Sequence, residues 1–346
     1  MKPALPSCKA LATITATESR AVMNDLTDKL VTVFGGSGFV GRYVVQALCD
    51  AGARVRVAVR NTRGAAHVRP LGNLGQVSLA PCDVTKPASV ARALDGADFA
   101  VNLVGAFDNM DAVQRVGAAN VAQAAAQAKG GAGLAGLVHI SAIGADPASD
   151  SAYGRSKGAG EAAVRSAFPA ATILRPSIIF GREDQFINRF AGLIRLLPVV
   201  PVIGAETKFQ PVFVGDVAKA VVAALRGEGG QLLEGQVLEL GGPQVLSMLE
   251  LNQWIARATG RADKMFVPVP DFAAKALATG TGWLPGAPIT TDQLKMLARD
   301  NVVTGEDGLA ALGIVATPMD AVAHDWLTLY RRHGRFGGTA NGAGAA

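Results

Sequence analysis

The sequence has few of the cysteines and histidines that cross-link small domains or bind metals. Only three cysteines occur among its 346 residues, and their odd number and wide spacing match neither a disulfide framework nor a zinc pattern. They are Cys8, Cys49 and Cys82. Only four histidines occur, and no two share the close spacing of a metal site. We therefore predict a cytoplasmic protein without a catalytic metal.

Long apolar runs and single-sign charge patches are also absent. Hydrophobic residues make up 49% of the chain, yet no run reaches the roughly 18 apolar residues that indicate a membrane span. The net charge of +5 comes from scattered arginines, whereas nucleic-acid binding needs a basic stripe interleaved with aromatic residues. A transmembrane span and a nucleic-acid partner are therefore not expected.

The two ends of the chain lack the patterns of folded elements. The first 22 residues have no secretory signal, and we expect residues 1–26 to be disordered or the true start of the chain to be Met23. Residues 337–346 are mostly glycine and alanine, which favours a disordered tail.

From Leu30 onward, short β-branched runs alternate with helical stretches, as is typical of βαβ units and a parallel sheet. The predicted strands are Leu30–Phe34, Val55–Val59, Gln76–Pro81, Phe99–Gly105, Leu137–Ser141, Thr172–Leu174 and Gln236–Leu240. The predicted helices are Phe39–Ala51, one starting near Pro87, Ala112–Lys129 and Pro318–Tyr330. This pattern predicts an α/β protein: a Rossmann-type doubly wound parallel sheet at residues 27–181, and a smaller α+β region at 182–336 that returns some strands to the sheet.

A glycine-rich loop joins the first predicted strand to the first predicted helix. It reads Gly35-Gly36-Ser37-Gly38-Phe39-Val40-Gly41, and Ser37, Phe39 and Val40 are expected to contact a cofactor along with the glycines. In a chain with 41 glycines the spacing alone is weak evidence, and the loop could be merely flexible. Its place between strand and helix predicts a pyrophosphate site for a nicotinamide dinucleotide.

The residue after the second strand indicates which dinucleotide binds. NAD-specific sites place a carboxylate there to bond the ribose 2′-hydroxyl, but this sequence has Arg60, whose guanidinium suits a 2′-phosphate. NADP(H) is therefore preferred over NAD(H), unless Arg60 is only a solvated surface residue. Further predicted cofactor contacts follow later strands: Asp83, Val84, Leu103, Gly105 and Pro176.

Tyr153 and Lys157 lie four residues apart near the start of a predicted helix, so both can reach one cofactor. A nearby ammonium would favour tyrosinate and make Tyr153 a proton donor or acceptor, while Lys157 bonds the nicotinamide ribose. Ser141 is the candidate for polarising a substrate carbonyl, although its hydroxyl could instead bond local backbone. The alternative is a helix-start tyrosine beside a solvated lysine.

The order of these features over residues 30 to about 330 resembles the extended and atypical short-chain dehydrogenase/reductase superfamily. A narrower resemblance, to the nucleotide-binding accessory subunits of respiratory complex I and their bacterial relatives, rests on four runs. These are Ala167-Phe168-Pro169, Arg175-Pro176-Ser177, Phe180-Gly181-Arg182-Glu183-Asp184-Gln185-Phe186 and Gln210 to Val217. The resemblance implies a tightly held structural NADPH, a position on the hydrophilic arm of complex I near the membrane, and no part in electron transfer.

Two departures from the family pattern point in opposite directions. Mitochondrial members have generally lost the tyrosine that stands here as Tyr153, and its presence keeps a catalytic hypothesis open. Active enzymes usually carry the substrate-facing hydroxyl two residues after the strand-end serine, where this chain has Ile143, which argues against Ser141 as a catalyst. The alternative is an active NADP-dependent carbonyl reductase or sugar-nucleotide epimerase with an unidentified substrate. A predicted helix at Pro318–Tyr330 ends in basic residues and could dock on a partner or on the inner face of the cytoplasmic membrane, or simply pack on the protein.

Overall fold

A computed structural model describes residues 25–227, 233–282, 289–332 and 334. The expectations for residues 1–24 and for the tail at 337–346 lie outside this range. Disorder at Asp25 and Leu26 was wrong, because Leu26 is fully buried in a hydrophobic core. Within the described range, no helix is long and apolar enough to cross a membrane.

The first half of the chain alternates strands with helices, as predicted. The strands are β1 (Leu30–Phe34), β2 (Arg54–Val59), β3 (Val77–Pro81), β4 (Phe99–Asn102), β5 (Gly136–Ile140) and β6 (Thr172–Pro176). The helices are α1 (Phe39–Asp50), α2 (Pro87–Leu94), α3 (Gly117–Gln127) and α4 (Ala152–Ala167). Gly52 has a φ of +85° just after α1, which is the conformation expected of a helix-ending glycine.

The second half contains shorter elements. They begin with β7 (Ile179–Phe180), α5 (Ile187–Leu196), β8 (Val199–Ile203), β9 (Lys208–Phe209), β10 (Val212–Phe213), α6 (Val214–Arg226) and β11 (Val237–Leu240). They continue with β12 (Leu246–Ser247), α7 (Met248–Ala258), β13 (Met265–Val269), α8 (Asp271–Thr281), α9 (Thr291–Leu297), α10 (Gly308–Ala311), α11 (Met319–Val322) and α12 (His324–Leu327).

Seven parallel strands form the central sheet in the order β11-β6-β5-β4-β1-β2-β3. One core lies on the sheet face covered by α1 and α6, and a second lies on the face covered by α2, α3 and α4. The predicted α/β doubly wound sheet is confirmed, with β11 returning to its edge. The strand order reverses between β1 and β4, and ligands of such sheets bind at this point, beyond the carboxyl ends of the strands.

A third core joins the elements that lie apart from the main sheet. Its buried residues come mainly from α5, α7 and the carboxyl-terminal helices, and include Ile194, Ile255 and Trp326. Two-stranded pairings, β8 with β13 and β9 with β12, complete this smaller α+β region.

Three element predictions were wrong in detail. β4 ends at Asn102 instead of Gly105, because Val104 N–H donates to the side chain of Asn102 at 3.1 Å and the chain turns away. The helix predicted at Ala112–Lys129 is a π-helical turn (Asp111–Val116) followed by α3. The predicted Pro318–Tyr330 helix is broken into α11, α12 and a 3₁₀ turn, whose buried side chains pack into the third core.

Candidate functional site

The glycine-rich loop lies between β1 and α1, at the carboxyl edge of the sheet. Gly35 has a φ of +79°, a left-handed conformation that glycine adopts without strain. A Cβ at Gly41 would lie 2.4 Å from the carbonyl oxygen of Gly35 and 2.6 Å from Cα of Gly36. Gly38 is the exposed N-cap of α1, no described side chain caps it, and the first turn carries no acidic residue. The loop therefore has the features of an anion site at a helix amino terminus.

The other residues of the loop contact different parts of the protein. The carbonyl oxygen of Ser37 lies 3.2 Å from Nε2 of His67, in the segment after β2. Phe39 meets the ring of Tyr43 edge-on at 6.1 Å, and Val40 packs against the first core. The loop is thus supported from both sides.

The adenosine end of a dinucleotide on this loop would lie near the carboxyl ends of β2 and β3. Arg60 directly follows β2 and is exposed. The Asp83 carboxylate accepts hydrogen bonds from the hydroxyl (2.7 Å) and backbone N–H (3.1 Å) of Thr85, which hold its pKa below the usual range. Lys86 and Arg60 contribute to the same shift through their charges.

Val84 lies against α3. A Cβ at Gly117 would come within 2.8 Å of Val84 Cγ2, and the Val84 carbonyl accepts a hydrogen bond from the Asn120 amide at 2.8 Å. Packing against α3 therefore holds the segment after β3 in place.

The ends of β4 and β6 bring the remaining predicted contacts to the same edge. Leu103 follows β4 directly, and its carbonyl carbon would lie 3.4 Å from a Cβ at Gly35. A Cβ at Gly105 would lie 3.7 Å from Nζ of Lys157, so the phosphate loop, the end of β4 and the lysine share one region. Pro176 is buried at the end of β6, and its carbonyl accepts a hydrogen bond from Ile143 N–H at 3.1 Å.

Tyr153 occupies the first turn of α4. Its ring stacks on the exposed ring of Phe107, with centroids 5.3 Å apart and an interplanar angle of 21°. Burial raises the pKa of Tyr153 to about 12. The expectation that a nearby ammonium favours tyrosinate was therefore wrong, because loss of hydration disfavours the phenolate more than any cation here supports it.

Lys157 is buried one turn further along α4. Its Nζ donates to the carbonyl of Ile140 at 3.1 Å. Burial lowers the pKa of Lys157 to about 8, and the charge of Glu161 opposes that shift. The lysine is therefore not the solvated surface residue of the alternative interpretation.

Ser141 follows β5 directly, and it is buried. Its hydroxyl has no hydrogen-bond partner among the described residues, so the bond to local backbone considered above is not formed. Ile143, two residues later, is 8% exposed and presents an apolar side chain instead of a second hydroxyl.

Sequence reasoning missed a buried polar pair beneath these residues. His139 on β5 is 2% exposed, and its Nδ1 lies 3.1 Å from Nδ2 of Asn102. Because the Asn102 oxygen accepts from Val104 N–H, its nitrogen must donate to His139 Nδ1, which puts the imidazole proton on Nε2. Burial, helped by the charge of Lys157, lowers the pKa of His139 to about 3. The only sequence signal was a histidine inside an apolar strand.

Asp292 of α9 was also missed. Its carboxylate accepts hydrogen bonds from the Ser151 hydroxyl (3.1 Å), Ala152 N–H (2.6 Å) and Tyr153 N–H (3.2 Å). A carboxylate from the second half of the chain thus caps the helix that carries Tyr153. Nothing in the sequence marks this pairing, since the partners are about 140 residues apart.

The Phe180–Phe186 run links α1 to the third core. A Cβ at Gly181 would lie 3.0 Å from the ring of Phe39. Glu183 accepts a hydrogen bond from the Tyr43 hydroxyl at 2.9 Å and lies 3.4 Å from the guanidinium of Arg42. Burial and this bond raise the pKa of Tyr43 to about 12.

Asp184, the next residue in this run, caps α5. Its carboxylate accepts hydrogen bonds from Ile187 N–H (2.6 Å) and Gly181 N–H (3.2 Å). The run therefore joins the first turn of α1 to the start of α5.

Comparison with known proteins agrees with this geometry. Residues 31–234 match the model of the NAD dependent epimerase/dehydratase family. The chain is 33% identical over 331 residues to the mitochondrial NADH dehydrogenase (ubiquinone) 1 alpha subcomplex subunit 9 of Arabidopsis thaliana, covering 90% of this chain and 81% of that protein. The corresponding protein of Mus musculus is 34% identical, with 88% and 80% covered. A ceramide reductase of Caulobacter vibrioides is 33% identical over 61% of this chain and 63% of that protein.

Solved structures share the fold at lower identity. An epimerase from Methanothermobacter thermautotrophicus aligns with a TM-score of 0.60 and 17% identity, covering 88% of this chain and 93% of that one. A nucleoside-diphosphate-sugar epimerase from Staphylococcus aureus aligns with a TM-score of 0.64 and 16% identity, covering 84% and 97%. The chain belongs to the NAD-dependent epimerase/dehydratase family, in the branch that contains subunit 9 of the 1 alpha subcomplex of respiratory complex I.

Proposed function

We propose that the protein holds NADP(H) as a structural ligand and serves as an accessory subunit of respiratory complex I. The observation that carries this proposal is the state of Tyr153, which is stacked under Phe107 and has a pKa raised to about 12. A general acid or base works best with a pKa near the operating pH. Ile143 also argues against catalysis, because a hydroxyl at this position would be needed to polarise a substrate carbonyl.

The phosphate loop supports the binding part of the proposal. The uncapped amino terminus of α1 suits a pyrophosphate, and Gly35 and Gly41 are glycines for the steric reasons given above. Arg60 favours NADP(H), because an arginine grips a 2′-phosphate where a carboxylate would repel it. Arg60→Asp should reverse the ratio of NADPH to NADH dissociation constants measured by fluorescence titration, and an unchanged ratio would remove Arg60 from the site.

The relatives support the proposed partner and location. Complex I subunits of Arabidopsis thaliana and Mus musculus share about a third of their residues with this chain over most of its length. We therefore propose that this protein lies on the hydrophilic arm of complex I, at the inner face of the cytoplasmic membrane. Native electrophoresis of gently solubilised membranes tests the assignment. The protein should migrate with NADH dehydrogenase activity, and migration on its own in every preparation would contradict it.

A second function is favoured by the retained Tyr153–Lys157 pair and by the low pKa of Lys157. These groups are those of an NADP-dependent reductase or epimerase, in which a bound nicotinamide would supply the hydride. Lys157 would hold the ribose and Tyr153 would move the proton. If the protein turns over a carbonyl substrate and Tyr153→Phe abolishes that turnover while NADPH still binds, the catalytic function replaces the structural one.

A further inference from the structure

Phe107 covers the ring of Tyr153 from the solvent side. The two rings stack with their centroids 5.3 Å apart and an interplanar angle of 21°. Phe107 is 69% exposed, whereas the tyrosine beneath it is only partly exposed. A molecule that approaches Tyr153 from solvent on this side would therefore meet the phenylalanine first.

A buried glutamine attaches the loop that carries Phe107 to α4. Gln114 lies in the π-helical turn after this loop and is 2% exposed, and its side-chain amide donates a hydrogen bond to the carbonyl of Ala106. The hydroxyl of Ser156 lies 3.2 Å from Oε1 of Gln114 and 2.9 Å from the carbonyl oxygen of Tyr153. A chain of hydrogen bonds thus joins the residue before Phe107 to the helical turn that carries the tyrosine.

The π-helical turn itself packs closely on α4. A Cβ at Gly160 would overlap the carbonyl oxygen of Gln114, so only glycine allows this approach of the two elements. At the other end of the loop, the Asn102 side chain accepts a hydrogen bond from Val104 N–H at 3.1 Å. The loop is therefore held at both ends, and π-helical turns of this kind occur frequently at functional sites.

We propose that Phe107 is the residue that excludes carbonyl substrates from Tyr153, and that the contact between Gln114 and Ser156 keeps it in place. A phenol exchanges a proton with a carbonyl oxygen only within hydrogen-bond reach, and the stacked ring restricts the space in which a substrate could come that close. This inference rests on the proposed function and deepens it, because it names the residue that separates the retained Tyr153–Lys157 pair from catalysis.

Nitration by tetranitromethane at pH 8, with the modified tyrosines identified by mass spectrometry, tests the proposal on the full-length protein without nucleotide. The reagent attacks the phenolate, so the rate reports both the access to a tyrosine and its ionisation. Phe107→Ala should raise the rate at Tyr153 about tenfold or more, because each unit by which the pKa falls from about 12 towards 10 increases the phenolate tenfold.

Two further variants separate the cover from a general effect of the substitution. Phe107→Leu keeps an apolar side chain over the ring and should raise the rate at Tyr153 less than Phe107→Ala does. The matched control is Phe272→Ala, which makes the same change at an exposed phenylalanine on α8 and should leave the rate at Tyr153 unchanged.

Ser156→Ala tests the attachment of the loop. Loss of the hydroxyl should raise the rate at Tyr153 about twofold to fivefold, because Gln114 loses the hydrogen bond that orients its amide towards Ala106. Tyr43 is the internal reference, since its hydroxyl donates to Glu183, and it should keep its wild-type rate in every variant.

Three results would overturn the proposal. If Tyr153 reacts at the wild-type rate in Phe107→Ala, the phenylalanine does not restrict access. If Tyr43 reacts faster together with Tyr153, the protein has loosened as a whole and Phe107 is not a local cover. If Ser156→Ala has no effect, the contact with Gln114 does not hold the loop. Failure of the wild type to bind NADPH would instead contradict the proposed function, whereas nitration without nucleotide tests Phe107 separately.

Discussion

Glu183 provides the sharpest test of how the Phe180–Phe186 run supports α1, the helix that follows the proposed phosphate loop. Its carboxylate accepts from the Tyr43 hydroxyl at 2.9 Å and pairs with Arg42 at 3.4 Å, and the Arg42 and Glu183 side chains are 32% and 34% exposed. A hydrogen bond to a charged group contributes about 1.5–3 kcal/mol, and a partly exposed ion pair about 0–1 kcal/mol. We expect Glu183→Ala to lower the free energy of unfolding by about 2 kcal/mol, and Tyr43→Phe by about 1 kcal/mol.

The assay is urea unfolding of the wild type, the two single variants and the double variant. Because both single changes remove the same bond, the double variant should lose less than their sum, with a coupling of about 1 kcal/mol. Glu206→Ala, at an exposed loop glutamate, is the matched control and should leave stability unchanged. The dissociation rate of NADPH should rise in Glu183→Ala, since α1 loses its support.

Additive single effects, or an unchanged NADPH dissociation rate in Glu183→Ala, would refute this reasoning. The first result would mean that Tyr43 and Glu183 do not interact in solution. The second would mean that the run packs on α1 without affecting the site that α1 forms.

Three further predictions concern the site itself. Gly41→Ala should lower the free energy of unfolding in urea by about 1–3 kcal/mol and abolish NADPH binding, because its Cβ would meet the backbone of Gly35 and Gly36. Gly192→Ala, with open space around it, is the control and should be neutral or stabilising. NADPH binding by Gly41→Ala would contradict the packing argument. Lys157→Met should be more stable than the wild type by on the order of 3 kcal/mol at pH 7, because the pKa of Lys157 is about 8 in the folded protein and 10.5 in the unfolded chain. This difference in stability should disappear as the pH rises from 8 to 10.5. A difference that does not depend on pH would exclude a buried cation. Nitrogen NMR at pH 5 should show His139 neutral with its proton on Nε2, and an imidazolium there would contradict its burial.

Much of the fold could be predicted because local pattern and tertiary structure agree. β1 was predicted to the residue because a short, mostly apolar and β-branched run is typical of a strand buried on both faces. α1 was predicted to within one residue because its apolar residues recur at helical spacing. The helix predicted at Pro318–Tyr330 failed for the opposite reason. Its apolar residues do face a core, but that core is reached through three short turns, and the period alone does not reveal the breaks.

The candidate site could be predicted where chemistry depends on residues close in sequence. The glycine loop and the Tyr153–Lys157 spacing are of this kind. The prediction that Tyr153 ionises readily was wrong, because its pKa depends on burial, which the sequence does not report. Asp292 could not be found at all, because only the fold brings α9 to the start of α4.

The central claim is tested most directly by identifying the nucleotide that the purified protein releases on denaturation. Mass spectrometry and an enzymatic cycling assay should find NADPH or NADP⁺ at close to one equivalent per chain, retained through gel filtration. Release of NAD(H) would contradict the role of Arg60. Release of no nucleotide, from protein that is folded and taken directly from its native membranes, would contradict the structural ligand itself.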